Sequence, residues 1–164
     1  MITIFLADDH PVVRDGLRAI LETQPDFEVI GEAGDGAETI QQTKALRPDV
    51  LLLDLEMPEM DGVQALRHIR EAAPDTRVLV FTAYDSDERI LAAVQTGAQG
   101  YLLKGAPRDQ VFDAIRVVHG GGSLLQPAVA SKLLRQMQSG ANRVASRPGT
   151  LTPREIEVLR LLAQ

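Results

Sequence analysis

The sequence contains no cysteine among its 164 residues. Disulfide bonds, thiolate metal sites and a cysteine nucleophile are therefore excluded. No run of about 18 apolar residues occurs, and the amino terminus lacks the basic leader and long apolar stretch of a signal peptide. No Walker-type or dinucleotide-binding glycine-rich loop is present either. These absences predict a cytoplasmic protein with no membrane association.

The composition, with 45% hydrophobic and 24% charged residues, is typical of a globular protein with a packed core. Charge is unevenly distributed along the chain. Residues 128–164 carry six Lys or Arg and two Asp or Glu, whereas the preceding part is strongly acidic. Because phosphates repel acidic surfaces, only the carboxyl-terminal part is predicted to lie near nucleic acid.

Short apolar runs alternate with segments of helical periodicity up to about residue 119, which favours βα units around a parallel sheet. The predicted strands are Ile2–Ala7, Glu28–Ala33, Val50–Asp54, Val78–Thr82 and Gly100–Lys104. The predicted helices are Pro11–Thr23, Ala37–Leu46, Val63–Glu71, Asp87–Thr96 and Arg108–His119. The third strand has no polar alternation, as expected of a central strand that helices cover on both faces.

Three segments divide the chain. We predict a domain over residues 1–120 and a linker over residues 121–150, which contains an amphipathic segment (Pro127–Gln138) followed by a polar stretch (Ser139–Gly149). Thr152-Pro-Arg-Glu155 has the pattern of a capping box and predicts a helix over 156–162. Residues 151–164 are therefore predicted to begin a second, incomplete domain.

Polar side chains follow the predicted strands at their carboxyl ends: Asp8 and Asp9, Asp54, Thr82 and Lys104. Ligands of open parallel sheets bind at this edge, so these side chains are predicted to converge. Three carboxylates held together repel one another, and a divalent cation with oxygen ligands, Mg²⁺, would relieve that repulsion.

Asp54 is the predicted nucleophile, because it follows the central strand between the acidic pair and Lys104. A carboxylate there can attack phosphorus and form an acyl phosphate while the cation and the ammonium group neutralise the phosphoryl oxygens. Taken singly, each residue has an ordinary explanation: Asp9 as a helix cap, Thr82 as a turn residue, Lys104 as a solvated charge. Their joint arrangement favours a site. No histidine is assigned a catalytic part, and Tyr101 is open to interpretation as an ordinary aromatic or as a switch.

Four segments of the sequence resemble the receiver domain of two-component response regulators. They are Asp8-Asp9, the run Asp49-Val-Leu-Leu-Leu-Asp54-Leu-Glu-Met-Pro-Glu-Met-Asp61-Gly62, Thr82-Ala83 and Gly100-Tyr-Leu-Leu-Lys104. The resemblance covers about residues 1–120. Residues 151–164 resemble the first helix of a LuxR-type helix-turn-helix domain, which indicates the NarL/FixJ branch. The resemblance implies a flavodoxin-like (βα)5 fold with strand order 2-1-3-4-5.

The resemblance also implies what the residues do. A sensor histidine kinase phosphorylates Asp54, while Asp8, Asp9, Asp54 and the backbone carbonyl of Glu56 hold Mg²⁺. Lys104 contacts the phosphoryl group, and Thr82 and Tyr101 switch together. The protein is then regulatory rather than an enzyme, although it assists its own phosphoryl transfer and dephosphorylation. A phosphorylation-dependent homodimer is a further expected partner, and DNA is expected to bind the full-length parent only, since this chain lacks a recognition helix. Gly105 departs from the proline that follows the lysine in many receivers.

Two other functions are compatible with parts of the sequence. A receiver that signals through protein contacts alone would not need the capped helix predicted at residues 156–162. A Mg²⁺-dependent phosphatase with an aspartyl-phosphate intermediate usually has an Asp-x-Asp arrangement near its amino terminus. Here Asp54 is followed by Leu55-Glu56-Met57 in the middle of the chain. The sequence therefore favours the phosphorylated transcription factor.

Overall fold

Strands and helices alternate strictly through the first 119 residues, in a computed structural model that describes residues 1–83, 86–125 and 127–143 together with Val158, Leu161 and Leu162. The strands are β1 (Ile2–Ala7), β2 (Phe27–Ala33), β3 (Val50–Leu53), β4 (Arg77–Thr82), β5 (Gly100–Leu103) and β6 (Leu124–Leu125). The helices are α1 (Pro11–Leu21), α2 (Gly36–Leu46), α3 (Gly62–Ala72), α4 (Asp87–Thr96), α5 (Arg108–His119) and α6 (Pro127–Arg143). Each element predicted up to residue 119 is present, with bounds that differ by one or two residues at most ends.

The strands form one parallel sheet in the order β2-β1-β3-β4-β5-β6. This confirms the flavodoxin-like fold and the order predicted for the first five strands. The sixth strand was not predicted. It pairs Leu124 with Gly100 and Leu125 with Tyr101. Two residues are too few to show a periodic pattern, so β6 follows from its position beside β5 and not from its own sequence.

The sheet is buried on both faces, which confirms the prediction for the central strand. On one face, Leu51 and Leu53 of β3 pack with buried residues of α3, α4 and α6. On the other face, Leu52 packs with buried residues of α1 and α5. This double burial explains why β3 is apolar throughout until Asp54.

The last described part of the chain packs against α4. Helix α6 continues to Arg143, five residues past its predicted end, because no proline interrupts the chain before Pro148. Val129 and Leu133 of α6 are buried in the same cluster as α4, and so is Val158 from the predicted helix at 156–162. The proposed capping box at 152–155 lies outside the described residues. The division into domains remains a prediction.

Helix ends near the site follow the sequence signals. Pro11 occupies the first turn of α1, as predicted, but the cap residue is His10 and not Asp9. Ser86 caps α4, and Gly97 ends it with a φ of 117°. Every helix in the described part of the chain is too short or too polar to span a membrane.

Candidate functional site

Asp54 is held in one position at the carboxyl end of β3. Its N–H donates to the Ala7 carbonyl at 2.9 Å, so the hydrogen bonds between β1 and β3 continue one residue beyond the strand. Its side chain is 2% exposed. Oδ1 accepts hydrogen bonds from Thr82 Oγ1 at 2.8 Å and from the Glu56 N–H at 3.0 Å, and Oδ2 accepts one from Lys104 Nζ at 2.9 Å. Three donors therefore fix the orientation of this carboxylate.

Lys104 joins the ends of three strands. Its N–H donates to the Thr82 carbonyl at 2.9 Å, which sets the residue directly beyond β5. Its Nζ lies 2.7 Å from Asp8 Oδ2 and 2.9 Å from Asp54 Oδ2. The strand ends thus bring together Asp8, Asp54, Thr82 and Lys104, as the parallel topology predicts.

The site carries more negative than positive charge. Burial lowers the pKa of Lys104, but the hydrogen bonds with Asp8 and Asp54 outweigh burial and raise its pKa above the ordinary value. Lys104 therefore stays protonated and neutralises one of three neighbouring carboxylates, the third being Asp9. A single divalent cation would balance the remaining charge.

The residues present fit Mg²⁺. Asp8, Asp9 and Asp54 each offer an oxygen, and these atoms lie within 4.8 Å of one another. Asp8 Oδ2 and Asp9 Oδ1 are buried, with Lys104 Nζ 2.7 Å from the first and His10 Nδ1 2.9 Å from the second, and each oxygen has a second lone pair that a cation could use. Carboxylate oxygens are the ligands that Mg²⁺ prefers. The Glu56 N–H contacts Asp54, and the predicted role of the Glu56 carbonyl as a further ligand stays a prediction.

Two residues that sequence reasoning left without a role also contact the site. His10 Nδ1 lies 2.9 Å from Asp9 Oδ1 and 3.2 Å from Asp8 Oδ1. Arg14 on α1 donates from Nη1 to the Asp8 carbonyl, where Gly34 leaves space for the guanidinium group. For His10, the only signal in the sequence is its position next to the acidic pair. For Arg14, which lies one helical turn later, the sequence gives no signal.

Tyr101 is fully buried on the same face of the sheet as Leu103, and Leu102 points to the opposite face. Side chains thus alternate between the two faces along β5, as in any strand. Tyr101 belongs to the cluster that includes Val129 and Leu133 of α6, and β6 pairs beside it. Its position therefore links the sheet to the segment that follows the first 120 residues. Its role as a switch stays a prediction.

Comparison with known proteins agrees with this geometry. The family described as "Response regulator receiver domain" matches residues 4–116. The transcriptional regulatory protein LiaR of Bacillus subtilis is 42% identical over 165 residues, covering 100% of this chain and 77% of that protein. The nitrate/nitrite response regulator NarL of Escherichia coli K12 is 35% identical over 162 residues, covering 99% of this chain and 75% of that protein.

Comparison with solved structures also indicates a response regulator. The crystal structure of a LuxR-family two-component response regulator from Aurantimonas sp. SI85-9A1 superposes with a TM-score of 0.78 at 32% identity. The match covers 83% of this chain and 97% of that one. With a receiver family match over most of the chain and relatives of this identity and coverage, the chain belongs to the response regulators of two-component systems, in the NarL/LuxR family.

Proposed function

We propose that this receiver accepts a phosphoryl group on Asp54 from a sensor histidine kinase, in a Mg²⁺-dependent reaction. The observation that carries the proposal is the Asp54 carboxylate, which is buried and held at the end of the central strand between two further acids and Lys104. Structural carboxylates rarely lie so close to others with a single ammonium group between them.

The proposed chemistry is a displacement at phosphorus. A carboxylate oxygen of Asp54 attacks the phosphorus atom of a kinase phosphohistidine, and an acyl phosphate bond forms as the phosphorus–nitrogen bond breaks. The electron pair leaves with the imidazole, which takes a proton from solvent. Lys104 would neutralise charge on the phosphoryl oxygens. Mg²⁺, held by Asp8, Asp9 and Asp54, would supply further neutralisation of that charge when bound.

Phosphorylation would change the contacts of Thr82. While Asp54 is a free carboxylate, the Thr82 hydroxyl donates to its Oδ1 at 2.8 Å. Once Asp54 is esterified, a phosphoryl oxygen is the better acceptor, because it carries more negative charge. Tyr101, on the adjacent strand, would respond and alter its packing with α6. We infer that this local change biases a two-state element.

The proposed output is transcriptional. LiaR is named a transcriptional regulatory protein and NarL a response regulator, and this chain spans about three quarters of the length of each. A full-length parent would therefore bind DNA in the cytoplasm, as a homodimer that depends on phosphorylation. The chain would act as a regulator, and its only chemistry would be assistance to its own phosphoryl transfer and dephosphorylation.

The test is intact-mass measurement after incubation with a small-molecule phosphodonor and Mg²⁺. We expect one added phosphoryl group on the native protein and none on Asp54→Asn. A chelator in place of Mg²⁺ should suppress the labelling of the native protein. Thermal melting of both proteins checks that the variant is folded. Equal labelling of both folded proteins would remove Asp54 from its proposed role.

A further inference from the structure

The imidazole of His10 lies against the acidic residues and does not cap the helix that follows it. His10 is the cap residue of α1, yet its side chain caps no backbone N–H. Its own N–H donates to Asp8 Oδ1 at 2.9 Å, and this turn brings the ring back beside Asp8 and Asp9. The ring position is therefore explained by the acidic residues and not by helix capping.

The spacing of these groups is that of metal ligands. Asp8, Asp9, His10 and Asp54 each present one ligand atom, and the four atoms lie within 4.8 Å of one another. Nδ1 of His10 is 2.9 Å from Asp9 Oδ1 and 3.2 Å from Asp8 Oδ1. Adjacent ligands of an octahedral ion with bonds of about 2.1 Å are roughly 3 Å apart, so one ion can bind both atoms of either pair.

The two oxygens of Asp8 face different partners. Oδ2 contacts Lys104, which neutralises that side of the site, whereas Oδ1 faces His10. The His10 side chain is 62% exposed, and those of Asp8 and Asp9 are 3% and 31% exposed. A cation entering from solvent would therefore meet the imidazole at the rim and the carboxylates beneath it.

We propose that His10 adds a nitrogen ligand to this site, so that a divalent transition-metal ion such as Ni²⁺ binds there in competition with Mg²⁺. Imidazole suits Ni²⁺ and Zn²⁺, whereas Mg²⁺ takes oxygen ligands and retains several waters. His10 is then the residue that sets the preference of the site among cations. The proposal rests on the proposed function only in taking Mg²⁺ as the competing ion.

Calorimetric titration of tag-free protein with Ni²⁺ and, separately, with Mg²⁺ tests the proposal. His10→Asn retains a polar side chain that can hydrogen-bond to the carboxylates but removes the imidazole ligand. We expect this variant to bind Ni²⁺ at least about tenfold more weakly, the usual scale of loss for disturbing a metal site, while its Mg²⁺ affinity changes much less. In the native protein, saturating Mg²⁺ should lower the apparent affinity for Ni²⁺.

Matched controls come from the other two histidines of the chain, His68 and His119, which are exposed and lie on α3 and α5. His68→Asn and His119→Asn should bind Ni²⁺ as the native protein does. In NMR spectra of the imidazole groups, substoichiometric Ni²⁺ should broaden the signals of His10 before those of the other two.

Equal Ni²⁺ affinity of the native protein and a folded His10→Asn variant would overturn the proposal, and His10 would then be a hydrogen-bonding neighbour of the acids. An apparent Ni²⁺ affinity that saturating Mg²⁺ leaves unchanged would also overturn it. These titrations need no phosphodonor. A protein that binds Ni²⁺ through His10 but cannot be phosphorylated on Asp54 would contradict the proposed function and leave this inference standing.

Discussion

At the amino-terminal edge of the sheet, acidic side chains have matched donors, whereas at the carboxyl-terminal edge one lysine lies among three carboxylates and contacts two of them. Arg116 donates to both oxygens of Asp26 at 3.0 Å, and its guanidinium group lies 4.7 Å from the centre of the Phe27 ring. Asp49 accepts hydrogen bonds from the N–H and the hydroxyl of Thr3 at 2.9 and 3.0 Å. Each of these carboxylates has its own partner.

The difference shows how one sheet separates stability from reactivity. The hydrogen bond with Arg116 lowers the pKa of Asp26, so the folded state favours the charged pair. At the opposite edge, Asp8, Asp9 and Asp54 together exceed the charge of Lys104. That excess costs stability and would favour binding of a cation, which could in turn neutralise an incoming phosphoryl group.

The largest expected effect sets Lys104 against Arg116. Lys104→Ala should slow phosphorylation of Asp54 by about 100-fold, because it removes a preorganised positive charge from the transition state. Arg116→Ala should leave that rate unchanged and lower the melting temperature instead. Time courses of intact mass with a phosphodonor measure the rates. Equal slowing of phosphorylation by the two variants would contradict the proposal that one edge of the sheet reacts and the other stabilises the fold.

Gly62, at the start of α3 beside the site, tests how tightly the carboxyl-terminal edge is packed. An added Cβ would lie 2.8 Å from the Leu55 carbonyl oxygen and closer still to the Leu55 Cα, and backbone cannot give way as a side chain can. We expect Gly62→Ala to lower the free energy of unfolding by about 3 kcal/mol. Urea denaturation measures this loss.

Gly16 on α1 is the matched control, because an added Cβ there meets nothing within 4 Å. Gly16→Ala should raise the free energy of unfolding by about 0.5–1 kcal/mol through helix propensity. A Gly62→Ala variant as stable as the native protein would contradict the close approach of α3 to Leu55.

Replacing an aspartate by asparagine should have opposite signs at the two edges. Without divalent cations, Asp9→Asn should raise the free energy of unfolding by about 1 kcal/mol, since it removes one of the mutually repelling charges. Asp26→Asn should lower the melting temperature, because it removes the charged partner of Arg116. Added Mg²⁺ should stabilise the native protein more than Asp9→Asn. The same sign for both variants would show that charge is balanced alike at both edges.

The smallest expected effect is a pH dependence of the amino-terminal edge. The pKa of Asp26 is lowered in the folded state. Its pairing therefore stabilises the fold above the unfolded pKa of about 3.9, and this contribution is lost as the pH falls through the lowered folded value. The difference in melting temperature between the native protein and Arg116→Ala should accordingly shrink on acidification. A difference that grows toward low pH would reverse the assigned sign.

Much of the fold could be predicted because its signals are local. The apolar run 50–53 indicates a buried strand wherever it lies, and Pro11 and Gly97 mark a helix start and a helix end by backbone chemistry alone. β6 could not be predicted, since two leucines form a strand only beside β5. The continuation of α6 through Ser139 and Gly140 could not be predicted either, because these residues locally favour a linker.

Local patterns in the sequence are enough to predict the alternation of strands and helices. They also predict the edge where Asp8, Asp54, Thr82 and Lys104 meet, because parallel strands always end at the same edge. Three features could not be predicted in this way: Lys104 bridges two of the acids, His10 turns back onto them, and α6 and Val158 lie in the core cluster that includes residues of α4. Some of these contacts join residues that are far apart in the chain, and the position of His10 depends on a turn whose direction is set by neighbouring elements. A local sequence pattern contains neither kind of information.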